Sequence, residues 1–500
     1  MSGTAAAQGS VPALVGRWAA HLPQEAAADH EGQRLTYRQL ALRAGGVAAR
    51  LHGQGVRQGE VVAVWAGRGG PALAAQLGIW LAGGVSLLLD PAQGAGRLAA
   101  VLEDAGPTAL LAAEDAPLPE QAAGPACVIP LAEVSDAPPH FDRPGVGSGP
   151  AYLVYTSGSS GTPKGVLVGH ESFAALCRWH RDTYDVRPGV RASSVAAMSF
   201  DAYQWEVWPY LSGGAAVSFA PPEVRFSPWE LDAWFRAERV DLAFLPTPLA
   251  EAYVRHGTRF EQLRALLTGG DLLRLADGHP LRRFVNHYGP TEATVVTTAG
   301  PVAPGLAGAA SIGRAIAPAR TLVADGEREV APGEAGELLI SGRCLALGYW
   351  RDPAATRAAF VTLPGRPGRW YRSGDLVRQE ADGAFRFLGR TDRQLKVRGV
   401  RVEPGEVEGV LGAHPALEDV VIDLDASGGG LTAFVVRTDR PGPAPTTADL
   451  QRFAADRLPP EMRPRTFHFV AGIPVTEHGK VDRGELNRRA FRERSDSALK

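Results

Sequence analysis

The chain has 500 residues, of which 45% are hydrophobic and 21% charged, and a formal net charge of -2. That length exceeds one compact core and predicts about two or three domains of ordinary globular composition. The near-neutral charge gives no basis for nucleic acid or an anionic membrane as partner. Cys127, Cys177 and Cys344 lie far apart, without CxxC or Cys/His spacing. A disulfide framework and a structural zinc are therefore not expected, and a reducing cytoplasm is the natural setting. Residues 1–10 have neither a basic start nor an apolar core, so they do not read as a signal peptide.

In chain order, Val61–Trp65 reads as a strand and Ala72–Leu81 as a helix. Pro71–Leu89 is uncharged for 19 residues, close to a membrane span in length. Gln76, Gly78, Gly83, Gly84 and Ser86 instead divide it at Gly83-Gly84 into a buried helix, a turn and a strand. Ala132–Pro150, rich in Pro, Gly and Asp, reads as a surface connection. Tyr152–Tyr155 is a strand-like apolar run that gives way to Thr156-Ser157-Gly158-Ser159-Ser160-Gly161-Thr162. Pro163-Lys164-Gly165 and a second apolar run, Val166–Val168, follow. Glycines let backbone N–H groups turn toward a ligand, hydroxyls add donors and the lysine adds charge, which is the chemistry of a phosphate cradle. Pro163 and Gly165 depart from G-x-x-x-x-G-K-[ST], so the stretch is a phosphate loop of another kind or a flexible linker. The flanking strand-like runs argue against a linker.

Leu242–Leu245 followed by Leu249–Tyr253 repeats the strand–helix alternation, which predicts α/β architecture with mostly parallel sheets. Asn286-His287-Tyr288-Gly289-Pro290-Thr291-Glu292 follows the strand-like Arg283–Val285 and groups its functional side chains around a Gly-Pro turn. It holds a tyrosine able to stack on a purine, a threonine able to donate to phosphate and a glutamate able to ligate Mg²⁺. Tyr371-Arg372-Ser373-Gly374-Asp375 is expected to set an aspartate just past a tight turn, suited to ribose hydroxyls. Near residue 390 the texture changes. Glu406–Leu411 and Thr447–Arg457 read as helices, and Val420–Leu424 and Leu431–Val436 as strands, in a small α+β domain of about 110 residues. The boundary is expected at 390–393. Gly479-Lys480-Val481-Asp482-Arg483 places a lysine behind a glycine. Taken singly, each cluster is also what an ordinary turn or a solvated tail presents.

Taken together, the ordered set resembles the adenylate-forming superfamily and, within it, the amino-acid adenylation domains of nonribosomal peptide synthetases. The matching segments are Leu35–Leu40, Thr156–Gly165, Phe200–Ala202, Asn286–Glu292, Gly336-Glu337 with Gly348–Trp350, and Tyr371–Asp375. They continue through Gly389-Arg390 with Asp392, Lys396–Gly399 with Glu403–Glu406, Leu458-Pro459 with Met462, and Pro474–Arg483. The resemblance covers nearly the whole chain. It implies a large N-terminal domain of packed α/β subdomains, 1–391, and a small mobile α+β C-terminal domain, 392–500.

The implied activity is a two-step ligation in natural-product (antibiotic) biosynthesis. A carboxylate attacks the α-phosphate of Mg²⁺·ATP to give an acyl-adenylate, and the phosphopantetheine thiol of a carrier protein then displaces AMP. The resemblance assigns Thr156, Ser157, Gly158, Ser159, Ser160, Gly161, Thr162 and Lys164 to the phosphates, with Asn286, His287, Tyr288 and Gly289 around the base. Asp375 and Arg390 go to the ribose, Thr291 to the α-phosphate and Glu292 to Mg²⁺. Lys480 is expected to bridge substrate carboxylate and phosphate in the first step. Asp392 is expected to be the hinge that later brings Lys396 toward the carrier's pantetheine.

The substrate pocket implied by the resemblance comprises Asp201, Ala202, Trp205, Phe244, Leu267, Gly269, His287, Val295 and Val296. Asp201 would take the ammonium of an α-amino acid; by itself it also reads as an N-cap carboxylate before a helix around Gln204–Leu211. The apolar lining favours a leucine-like side chain, with His287 standing where leucine pockets carry asparagine. The alternatives are an acyl-CoA synthetase of the same superfamily and a non-catalytic nucleotide-binding protein on this fold. The chain reads as a freestanding enzyme serving its carrier in trans or as an excised domain, with its tail favouring the first, and a small MbtH-like helper protein is a further possible partner.

Overall fold

A computed structural model describes residues 9–90, 93, 95–113, 127–157, 163–255, 262–275, 279, 281, 283–392, 394–397, 399–425, 429–438, 444–474, 481, 485–486 and 488. The chain divides into two compact units. One comprises Met1–Pro91, Leu102–Thr156 and Gly165–Asp392; the other comprises Ala92–Val101, Ser157–Lys164 and Arg393–Lys500.

The larger unit is built on two mostly parallel sheets and one antiparallel sheet. The first has nine strands, and its central run is Phe284–Tyr288, Ala265–Gly269, Leu242–Pro246, Arg191–Ser194, Ala216–Phe219 and Ala26–His30 in spatial order. All five pairings along that run are parallel, with antiparallel strands added at both edges. The second has seven strands and includes Pro150–Thr156, Val85–Leu89, Val61–Trp65 and Ala109–Ala112. Val-, Leu- and Ala-rich runs buried on both faces suit these central positions, since helices cover both sides of a parallel sheet. The third sheet, around Ala335–Gly342 and Arg366–Gln379, is antiparallel throughout.

The apolar Pro71–Leu89 stretch is a helix, Gly70–Leu81, and a strand, Val85–Leu89, joined by a turn in which Gly83 takes φ +81°. No described helix is long and apolar enough to cross a membrane. The one polar side chain of that helix, Gln76, is fully buried. Its amide nitrogen donates to Gln204 Oε1 at 2.8 Å and Ser86 Oγ at 3.1 Å, and its oxygen accepts from Trp208 Nε1 at 2.9 Å. The bonds tie this helix to Asp201–Leu211, the helix that opens on the predicted ammonium site.

The smaller unit carries a hairpin, Leu395–Val397 with Val400–Val402, closed at Gly399 with φ +83°. A helix, Pro404–Gly412, leads into the antiparallel strands Leu417–Leu424 and Leu431–Arg437, and Pro464–Phe469 adds a parallel third strand. The helix Thr447–Ala455 begins with a capping box between Thr446 and Asp449. Val407, Leu411, Ile422, Ala433 and Leu450 form its core. These elements contain the helices and strands expected of the C-terminal α+β pattern, apart from Asp456 and Arg457, which lie beyond the helix Thr447–Ala455.

The Gln76 network gives a stability prediction. Trp208→Phe removes the donor to a buried amide oxygen, which costs about 1–3 kcal/mol, and it also leaves packing space beside Trp80, whose ring centroid lies 4.5 Å away. A lowered urea midpoint for this variant is the expected result, read by intrinsic fluorescence.

Candidate active site

The predicted pocket residues converge at one edge of the nine-stranded sheet. Phe244 pairs with Leu267, and Gly269 with His287, near the C-terminal ends of three adjacent parallel strands. That edge is where open α/β sheets bind ligands. Gly269 has no room for a side chain, because a Cβ there would meet the His287 carbonyl oxygen at 2.5 Å. From the helix Asp201–Leu211, the Trp205 ring lies 5.1 Å from Phe244 and 4.8 Å from His287, centroid to centroid. Val296 belongs to the same apolar cluster, and Ala202 and Val295 pack against it.

The strand expected over Arg283–Val285 is Phe284–Tyr288, so it runs on through Asn286, His287 and Tyr288 to the Gly289-Pro290 step. Alternation along a strand places Asn286 on the face opposite His287. The Asn286 amide donates to the Ser311 carbonyl at 2.9 Å. His287 is 3% exposed, and both of its nitrogens are engaged. Nδ1 lies 3.1 Å from the Thr268 carbonyl oxygen and Nε2 lies 2.6 Å from the Tyr184 hydroxyl. Burial lowers its pKa to about 4.

Asp201 is the first residue of its helix. Phe200 occupies the N-cap, so the capping role read from the sequence is not the one observed. Burial raises the Asp201 pKa, and the charge of Glu292 raises it further; the neighbouring Thr291 side chain and backbone N–H groups oppose this. Thr291 and Glu292 share a single 3₁₀ turn, Thr291–Ala293, directly after Pro290. Glu292 is fully buried and accepts a hydrogen bond from the Tyr349 hydroxyl at 2.8 Å. Beyond this turn Thr294 and Val295 adopt φ +56° and +66°. Left-handed backbone is unfavourable for β-branched residues and costs about 1–3 kcal/mol each. Thr294 Oγ1 donates to the Cys344 carbonyl at 2.6 Å and holds the conformation in place.

A second constellation surrounds Asp375, which is 3% exposed. The Tyr288 hydroxyl donates to it at 2.5 Å, and Arg390 forms an ion pair with it. Arg390 also holds Asp392 through two bonds, at 2.7 and 2.8 Å. Here the structure corrects the expected tight turn. Tyr371–Asp375 lies inside a continuous strand, Arg366–Gln379, whose register shifts against its neighbour. Gly374 supplies the bend at φ +70°, where a Cβ would come within 2.7 Å of Arg390 Nη2.

Thr156 ends the strand Pro150–Thr156, and Gly289 follows Tyr288 directly. In the smaller unit the Ser157 hydroxyl donates to the Arg401 carbonyl at 2.8 Å. Lys164 opens the strand Lys164–Gly169, and Lys396 stands on the hairpin opposite Arg401. Gly158, Ser159, Ser160, Gly161, Thr162 and Lys480 lie outside the described residues. Among the described residues no group of three or more His, Cys, Asp or Glu side chains could hold a metal ion by itself. A cavity of about 920 Å³ elsewhere on the larger unit is lined by Arg178, Arg320, Arg343 and Arg369 and contains none of the predicted site residues. Sequence reasoning missed Tyr184 and His180, which back His287 and Trp205; neither belongs to a motif. It also assigned no role to Tyr349, although Gly348–Trp350 was among the matching segments.

The His287 environment predicts a pH dependence. An unfolded imidazole titrates near 6.5 and the folded one near 4. The folded pKa is the lower, so this stabilisation is complete above pH 6.5 and is lost as pH falls from there to 4, by about 3 kcal/mol in total. In His287→Gln the urea midpoint should fall less steeply over that interval than in the parent chain.

Comparison with known proteins places the chain in a family. The AMP-binding enzyme family matches residues 15–350, and the AMP-binding enzyme C-terminal domain matches residues 406–480. A linear gramicidin synthase polypeptide from Brevibacillus parabrevis is 38% identical over 495 residues, covering 95% of this chain and 6% of that protein. Phosphinothricin tripeptide synthetase PhsB from Streptomyces viridochromogenes is 37% identical over 501 residues, covering 95% of this chain and 42% of its own. The chain thus spans less than half the length of either of these relatives. Among solved structures, holo-PA1221, described as an NRPS protein containing adenylation and PCP domains, superposes with a TM-score of 0.81 at 29% identity. That match covers 96% of this chain and 84% of holo-PA1221. The chain belongs to the AMP-binding enzyme family, among the adenylation domains of nonribosomal peptide synthetases.

Proposed function

We propose that this chain activates a leucine-like amino acid with ATP and passes it to the phosphopantetheine thiol of a carrier protein, serving natural-product assembly in the cytoplasm. The observation that carries this reading is the placing of the Asp201 carboxylate close enough to Thr291 and Glu292 for both to act on its charge. It sets a half-buried carboxylate suited to an ammonium group near a hydroxyl and a buried carboxylate suited to phosphate and metal. An α-amino acid has its ammonium and carboxylate on one carbon, so this spacing presents the carboxylate to the phosphate side.

In the first half-reaction a substrate carboxylate oxygen attacks the α-phosphorus, the bond to the bridging oxygen breaks, and pyrophosphate leaves. Thr291 would donate to the α-phosphate. Thr156, Ser157 and the Gly158–Thr162 loop, with Lys164, would hold the leaving phosphates. Lys480 would neutralise charge between carboxylate and phosphate; a charge pair at 4 Å contributes about 4 kcal/mol at an effective dielectric near 20. Asp375 and Arg390 would hold the ribose, with Tyr288 against the base and the Asn286–Gly289 strand end beside it. Glu292, a single buried carboxylate, fits Mg²⁺, which is commonly bound by one or two carboxylates together with substrate phosphates. When bound, the ion would offset charge on the phosphate oxygens.

In the second half-reaction the carrier thiol sulfur attacks the acyl carbon, its proton goes to solvent, and AMP leaves with the former acyl oxygen. Asp392 would be the hinge between the two steps, released from Arg390, and Lys396 would approach the pantetheine. A carrier acting in trans and a small MbtH-like helper belong to the same reading.

Two experiments test it. Pyrophosphate exchange over a panel of amino and fatty acids should give its highest rate with leucine or a close aliphatic relative. Asp201→Asn should lower that rate at least 100-fold, the scale of leaving a buried charge unpaired; retained exchange would overturn the amino-acid assignment. Asp392→Pro should spare exchange but abolish thioester formation on a carrier. Equal loss of both steps would remove the hinge role.

A further inference from the structure

Building on the amino-acid reading above, we infer that Tyr184 and His180 are positioning residues that turn two polar rings of the pocket, His287 and Trp205, into an apolar wall. Both stand near the C-terminal end of the helix His170–Tyr184, outside every motif that carries the family resemblance. The Thr268 carbonyl oxygen can only accept a hydrogen bond, so the His287 nitrogen facing it, at 3.1 Å, bears the proton. The other nitrogen, Nε2, then has only a lone pair, which accepts from the Tyr184 hydroxyl at 2.6 Å. Neither nitrogen is left to meet a substrate side chain. The imidazole therefore presents its face and carbon edge to the pocket, although its residue type suggests a polar contact.

Trp205 is handled in the same way. Its indole N–H donates to His180 Nδ1 at 2.9 Å, with the two rings edge to face at 5.6 Å. That bond fixes the His180 proton on Nε2, which is buried and has no hydrogen-bond partner among the described residues. A buried unpaired N–H is costly, so the His180 tautomer is set by the demand of Trp205 rather than by its own satisfaction. Tyr184 is itself held firmly. It is 1% exposed, its backbone carbonyl accepts from Arg264 at 3.0 Å, and the Arg283 guanidinium lies 5.0 Å from its ring centroid. The helix thus supplies one acceptor and one donor, each matched to a ring of the opposite need. The wall selects against side chains that bring hydrogen-bonding groups, because these would be desolvated against carbon.

Tyr184→Phe tests this, since it removes one oxygen and returns His287 Nε2 to the pocket as an acceptor. Leucine and asparagine have similar volumes, and only asparagine carries a donor. The ratio of kcat/KM for leucine over asparagine in pyrophosphate exchange should fall at least tenfold in Tyr184→Phe. In the His287→Leu background the same tyrosine change should leave the ratio unaltered. A purely structural role would lower both substrates together and hold the ratio constant, and that result overturns the inference. A second readout needs no substrate: the ¹⁵N resonance of His287 Nε2 should move downfield on loss of the Tyr184 hydroxyl, and an unmoved resonance also overturns the wall. If the parent chain activates no amino acid, the amino-acid reading falls, and the ¹⁵N measurement still decides whether Tyr184 engages His287.

Discussion

The nearness of Asp201 to Thr291 and Glu292 brings together two chemistries that would otherwise sit on separate elements. Asp201 opens a helix, and Thr291 opens a 3₁₀ turn after a strand end. Burial makes the Asp201 charge unfavourable and the neighbouring Glu292 charge makes it more so. Two neighbouring carboxylates, one fully buried and one half-buried, are tolerable in a protein when cations come to them. An ammonium on one side and a divalent ion on the other would answer that demand, and both are what the proposed reaction brings. The same residues would thus be least comfortable when empty and most stabilised with both ligands present.

Around this pair the site is ordered by satisfying polar groups elsewhere. Gln76 is consumed by Gln204, Ser86 and Trp208, and its helix is thereby fixed against the helix of Asp201. Asn286 is turned to Ser311, and Asp375 gathers Tyr288 and Arg390. The pocket floor needs the opposite treatment. Gly269 contributes only backbone, so the sheet edge stays open beside Phe244 and Leu267. In the proposed pocket, what would remain to face a ligand is mostly carbon, with charge confined to one end.

The sequence carried the large features because they rest on local patterns. Apolar runs followed by amphipathic stretches gave the parallel strands and their helices, and Gly83-Gly84 was enough to break an apparent membrane span. Two boundary errors have a common cause. Ser373–Asp375 looks like a turn because it is polar and adjoins glycine, yet it is strand, and the strand expected to stop at Val285 runs on through the polar Asn286–Tyr288. Polar side chains in a buried strand are legible only when their partners are known, and those partners are remote: Asp375 lies 87 residues from Tyr288. Tyr184 is a sharper case. Its partner His287 is 103 residues away, and nothing in the helix His170–Tyr184 distinguishes this tyrosine from an ordinary core residue. Motifs reported the residues expected to meet substrate, whereas the residues that orient them left no mark in the order of the chain.

The strained backbone at Thr294 and Val295 is what one short segment would need to serve both ends of the proposed site. Glu292 must be buried on one side of the 3₁₀ turn, and Val295 and Val296 must reach the apolar cluster only three and four residues later. Regular helix would continue the turn past the pocket, and regular strand would carry the chain away from Glu292. Consecutive left-handed residues reverse the path within that distance, and Val296 N donates back to the Thr294 carbonyl at 2.8 Å to close it. Glycine would adopt this backbone without strain. A valine there gives up backbone comfort for a side chain against the pocket, and this local conflict between conformation and sequence is itself a mark of a functional segment.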